Sequence, residues 1–163
     1  MARAEHDLRT TSSVLDRLLD DNPGDSQERA LDWHEQIRAL KRSVARDLEA
    51  LLNTRQERIG EIAEGRSEIA QSILVYGLPD FSALDLCSAA DCAKVRRAIE
   101  RAIERFEPRL AKVTIVMDDP KNVDRGLHFR IEAILRVEPT PEPVTFDTVL
   151  QPATQQYDVE DQS

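Results

Sequence analysis

Apolar positions recur at helical intervals through the first two thirds of the chain and at every second residue through the last third. The opening stretch "SSVLDRLLDD" places Val14, Leu15, Leu18 and Leu19 on one stripe behind Ser13 as a helix cap, and "NPGDS" stops it. A piece this short is marginal as an isolated helix, so it must dock on its own domain or on a partner. From Ser26, "SQERALDWHEQIRALKRSVARDLEALLNTR" repeats Leu31, Ile37, Leu40, Val44, Leu48, Leu51 and Leu52 at helical spacing. It predicts one or two helices with a bend before Lys41, ending near Asn53, a residue that tolerates left-handed backbone. "QERIGEIAEGRSEIAQSILVY" is looser, and Gly60 and Gly65 interrupt it, which predicts a loop or short helix up to "SILVY".

After "YGLPDF", the segment "FSALDLCSAADCAKVRRAIERAIERFEPRL" predicts a helix capped by Ser88 or Asp91. Val95, Ala98, Ile99, Ala102, Ile103 and Phe106 face inward, and the Arg and Glu residues between them face outward. Pro108 ends this helix and biases Glu107 away from helical geometry. The period then changes to two. "LAKVTIVMDD" sets Val113, Ile115 and Met117 on one face, and "GLHFRIEAILRVE" alternates Leu127, Phe129, Ile131, Ala133, Leu135 and Val137 with polar residues. "DPKNVDRG" joins these two as a hairpin, "PTPEP" forces an extended turn, and "VTFDTVLQP" adds a strand with Val144 and Phe146 on one side. A last edge strand is expected around Tyr157 to Val159. Helices followed by strands predict an α+β class, with N-terminal helices and then a helix packed on a mainly antiparallel sheet. The expected division is an amphipathic segment and linker over 1–25, a single α+β domain over 26–159 and an acidic tail over 160–163.

With 40% hydrophobic and 33% charged residues, the composition is that of a globular chain rather than a disordered or membrane-embedded one. A formal net charge of −9 opposes recognition of nucleic acid through its phosphates. The start lacks the pattern of a secretory leader and no apolar run suffices to span a bilayer, so the expected place is the cytoplasm, without direct membrane insertion. Cys87 and Cys92 stand in a C-x4-C spacing that lacks a second ligand pair for zinc. His6, His34 and His128 share no ligand spacing, no glycine-rich phosphate loop occurs, and no G-x-S-x-G surrounds a serine. The remaining enzymatic candidate is an Asp80 and Glu107 pair for glycoside hydrolysis, a weak one where acidic residues are this numerous. The expectation is a structural protein with no catalytic residue, cofactor or metal.

Two motifs are better supplied with structural roles. In Tyr76, Gly77, Leu78, Pro79, Asp80 and Phe81, glycine permits positive φ, proline fixes a corner, and the carboxylate can accept backbone N–H bonds. Tyr76, Leu78 and Phe81 can anchor that turn in the core. In "FEPRL", Glu107 and Arg109 straddle Pro108, where they can brace each other or present a charged hook to another chain.

"NTR" after a helix, then "YGLPDF", then "FEPRL" followed by alternating strands, resembles the baseplate wedge family of contractile injection machines, a lysozyme-named but non-enzymatic family of phage tails. The likeness runs from about Leu48 to Val159. The opening "SSVLDRLLDD" is similar to the TssE-like branch of that family, found in bacterial type VI secretion systems. The resemblance implies a cytoplasmic baseplate subunit docked near the inner membrane. It implies binding to the wedge proteins TssF and TssG, contact with the sheath proteins TssB and TssC, and TssK as a further candidate neighbour. It also implies that Glu107, Pro108 and Arg109 engage the sheath and that the sheet is similar to the sheath's strand-sharing handshake domain. Val14, Leu15, Leu18 and Leu19 are the candidates for docking on a wedge partner. A wedge subunit of a phage tail is the alternative.

Overall fold

The computed structural model describes residues 32–56, 67–70, 72–81, 84, 88–117, 127–151 and 156–162. The segment carrying Val14, Leu15, Leu18 and Leu19, the start at Ser26, Cys87 and the 118–126 connection lie outside the described residues.

Helix α1 runs unbroken over Trp33–Asn53. The stretch contains neither glycine nor proline, and its apolar stripe keeps the helical step past Lys41, so nothing breaks the backbone ladder where a bend was expected. At its start the Asp32 N–H donates to the Glu35 carboxylate at 2.9 Å, half of a capping box. Lys41 is itself buried, and its ammonium meets Glu142 Oε1 at 3.0 Å. A short helix α2 (Ser67–Ala70) and a single 3₁₀ turn over Ile73–Val75 lead into the glycine turn. Helix α3 spans Ala89–Phe106, with Ser88 as its N-cap, and buries Val95, Ile99, Ala102 and Ile103.

The four strands β1 (Leu110–Met117), β2 (Leu127–Leu135), β3 (Glu142–Gln151) and β4 (Gln156–Asp161) pair in the order β1-β2-β3-β4, each neighbour antiparallel. β1 and β4 are therefore the two edges. One face of the sheet is buried beneath the helices, α1 packing on β4 and α3 on β1. Phe129, Ile131, Ala133 and Leu135 of β2, Val144 and Phe146 of β3, and Tyr157 and Val159 of β4 fill that face. Period-two alternation delivers every one of them to the same side.

β1 departs from plain alternation. Leu110 and Val113 are both buried although three residues apart, which the pleat forbids unless one residue is inserted. The register with β2 indeed slips between Ala111 and Thr114, and Lys112 there takes φ 52°. The phase slip between Leu110 and Val113 is visible in the sequence and could have signalled the bulge.

Candidate functional site

Ser43, Asp47 and Leu51 stand four residues apart on α1 and so share one helical face. Against that face lies the joint between α3 and β1. Pro108 lacks an N–H and cannot continue α3, and Glu107, with φ −119° and ψ 81°, leaves helical geometry ahead of it. The chain then turns within two residues, Leu110 N–H donating to the Glu107 carbonyl at 3.2 Å and Arg136 N–H to the Arg109 carbonyl at 2.8 Å.

This turn brings Glu107 and Arg109 together as a fork. Arg109 Nε donates to Glu107 Oε1 at 2.7 Å and Nη2 donates to Oε2 at 2.5 Å. The same guanidinium reaches across to α1, Nη2 to Asp47 Oδ2 at 2.5 Å and Nη1 to Ser43 Oγ at 3.1 Å. Glu107 is only 4% exposed, so its charge is held in the interior by this one cation. The Glu107 bond, foremost, drives the Arg109 pKa further up, so the guanidinium stays charged. Of the two sequence readings of "FEPRL", the internal brace is present, and Pro108 is the member of the trio that is exposed.

Asp47, Leu51, Tyr76, Phe106, Glu107, Pro108 and Arg109 line an open cleft of about 380 Å³. Tyr76 meets Phe106 edge to face at 5.1 Å between centroids. Burial, and then the negative charges of Asp47 and Glu107, raise the Tyr76 pKa above that of an ordinary phenol. The two sequence motifs, distant in the chain, thus meet at one surface.

The "YGLPDF" turn is zipped to "NTR". Leu78 N–H donates to the Thr54 carbonyl at 2.8 Å, and Gln56 N–H donates to the Leu78 carbonyl at 2.7 Å, a one-rung parallel bridge. Gly77 has φ +100°, and a Cβ there would stand 2.3 Å from the Thr54 carbonyl oxygen. Only glycine accepts both the conformation and that approach. Leu78 is buried, Tyr76 and Phe81 pack against the core, and Pro79 and Asp80 are exposed. Asp80 Oδ1 accepts from Arg55 Nη2 at 3.1 Å, across the zipper.

Asn53 does something the sequence did not suggest. Its backbone is not left-handed, Lys112 being the one non-glycine residue with positive φ among those described. The helix instead hands over at Thr54 in extended geometry, and the Asn53 side chain reaches β4. Nδ2 donates to the Tyr157 carbonyl at 2.9 Å, and Tyr157 N–H donates to Oδ1 at 2.7 Å. Glu100 of α3 has a related role, its Oε1 accepting from Ile115 N–H on β1 at 3.2 Å.

For glycoside hydrolysis the arrangement is poor. Asp80 is not among the residues lining the cleft, and both oxygens of Glu107 are held by Arg109. Among the described residues no group of three His, Cys, Asp or Glu side chains is placed to hold a metal ion. His34 is exposed on α1 and His128 is half-buried on β2, while Cys92 is half-buried in the first turn of α3.

No curated protein matches the chain at a significant level. A family model described as baseplate wedge protein gp25 matches residues 38–140, which is more than half of the chain and includes α1 from Arg38 onward, the glycine turn, the Glu-Pro-Arg joint and the first two strands. The chain belongs to the gp25 family of baseplate wedge proteins, structural components of baseplates.

Proposed function

We propose that this chain is the wedge subunit of a type VI secretion baseplate, where it binds TssF and TssG and starts polymerisation of the TssB–TssC sheath. TssK is a further neighbour in this reading. The observation that carries it is where the Glu-Pro-Arg joint leads. Arg109 is followed directly by Leu110, the first residue of β1, and β1 is an edge of the sheet. The bonds that brace Glu107 and Arg109 against α1 therefore also fix the angle at which that edge is presented. A sheet edge offered at a set angle can pair with a neighbour's strand through main-chain bonds. Presented before any sheath exists, such an edge lowers the cost of forming the first ring.

Exposed Pro108 and the cleft beside it are the contact surface in this scheme, and the stripe of Val14, Leu15, Leu18 and Leu19 docks on a wedge protein. The working place is the cytoplasmic side of the inner membrane, with the subunit held there by its partners. Among the described residues no helix is long and apolar enough to cross a membrane.

The test is a pull-down of the tagged full chain from its native cells, wild type beside Pro108→Ser, which leaves the ion pair in place. Recovery of wedge and sheath proteins with the wild type, and selective loss of sheath proteins with a variant that melts normally, supports the proposal. Recovery of phage tail proteins would move the subunit to a phage particle. Recovery of neither set overturns the assignment.

A further inference from the structure

Lys94, Arg97, Arg101 and Arg105 follow one another along α3 at steps of three, four and four residues, and all are exposed. At the helical step they fall within about 80° of arc and run about 16 Å along the axis. They are turned away from buried Val95, Ile99, Ala102 and Ile103. Elsewhere in the fold Arg46, Arg55, Arg109 and Arg130 each hold a carboxylate. Arg97 and Arg101 hold none among the described residues, and Lys94 takes Asp91 at 2.7 Å. Arg105 lies over the Phe106 ring, its guanidinium carbon 6.0 Å from the centroid. Glu100 stands three residues past Arg97, yet its Oε1 accepts from Ile115 N–H at 3.2 Å on the other side of the helix. Like charges three and four apart on a helix repel, so this row is a concentrated exception in a chain of formal net charge −9.

We propose that this face of α3 docks an acidic helix of a partner protein, whose carboxylates are spaced to meet the row. A guanidinium is a planar fork that takes a carboxylate through two N–H bonds, and three of the four cations are arginines. The row is a single file, the width of one helix. Exposed Glu104 stands at its margin. A uniformly anionic surface such as a lipid bilayer would press its phosphates on that acid, and on an acidic protein, as well as on the row. A helix offers discrete carboxylates and leaves the margin clear. The row also runs into the cleft, because Arg105 adjoins Phe106, which lines the cleft together with Pro108. A partner seated at Pro108 can therefore continue along α3. This docking uses helix side chains and no strand pairing, and it holds for whatever assembly the chain enters.

The probe is a labelled, alanine-based helical peptide of about 20 residues with glutamates at the steps of the row. Its control has the same composition with the glutamates spread around the helix. Affinity for the purified full chain is read by fluorescence anisotropy at low salt. Arg97→Gln combined with Arg101→Gln removes two charges and keeps similar helix propensity, while Arg96→Gln removes one exposed charge outside the row. The expected result is that wild type prefers the matched peptide, that the double variant binds it ~10-fold more weakly, and that Arg96→Gln stays within ~2-fold of wild type. Arg101→Glu should lose the acidic peptide and gain affinity for one with a lysine at the facing position, an inversion that a merely solubilising role would not give. No binding of the matched peptide, equal binding of both peptides, or full binding by the double variant would overturn the docking. So would binding to phosphatidylglycerol vesicles in place of the peptide, which would assign the row to a membrane surface. No baseplate protein takes part in this assay, so its failure and the failure of the pull-down are separate results.

Discussion

Replacing Arg109 by methionine removes the one cation that, among the described residues, pairs with a carboxylate only 4% exposed, and the consequence can be sized. Breaking a buried pair by deleting one partner costs about 3–5 kcal/mol, because the remaining charge is left desolvated and alone. The Arg109 side chain keeps 18% of its exposure and Asp47 keeps 30%, so water compensates part of the loss. The expected cost of Arg109→Met is then about 2–4 kcal/mol. The Glu107→Leu and Arg109→Met double variant should lose less than Arg109→Met alone, since no unpaired charge remains at the most buried position and methylene contacts replace the bonds. Urea unfolding of the wild type, the two single variants and the double variant closes the cycle, with the slope of each transition checked for constancy. A coupling energy of ~1.5 kcal/mol or more is the expected reading. A loss under about 1 kcal/mol for Arg109→Met, or costs that simply add, would refute the view that this guanidinium stabilises a buried charge. The magnitude has a practical consequence: loss of partner binding in an Arg109 variant is interpretable as a lost contact only after its stability has been measured.

Three further outcomes follow from single positions. Gly77→Ala forces a Cβ to within 2.3 Å of the Thr54 carbonyl at φ +100°, and should cost ~2 kcal/mol or more, read as a melting temperature several degrees lower. Thr148→Val should be neutral or stabilising by up to ~1 kcal/mol in the same assay, because Thr148 Oγ1 is buried with no hydrogen-bond partner among the described residues. Burial pushes the Tyr157 phenol up to about 12 from an ordinary value near 10.0, so between those pH values the unfolded chain releases this proton and the folded one does not. Stability should be intact below pH ~10 and fall toward pH 12 by up to ~1.4 kcal/mol per pH unit; Tyr157→Phe should flatten that slope, and an unchanged slope would refute the assignment.

Local features could be read directly from the residues. Period 3.6 in residues 37–52 and 95–106 and period 2 after residue 113 specified which faces are buried, and the observed α+β order of helices then antiparallel strands follows from them. Pro108 marked the end of α3 and Gly77 the positive-φ turn, because each residue type restricts its own backbone. Membership of the wedge family was legible in three short motifs for the same reason, since each encodes a local geometry. Features that depend on pairs remote in sequence emerge only once the chain is folded. Arg109 meets Asp47 across 62 residues, and Asn53 meets Tyr157 across 104. Both partners in such a pair carry ordinary surface-compatible side chains, and nothing in periodicity or turn chemistry says that folding will bring them within 3 Å. Strand order belongs to the same class: hairpin connections imply neighbours, but only the assembled sheet shows β1 and β4 as its edges and which of their main-chain groups the helices cover.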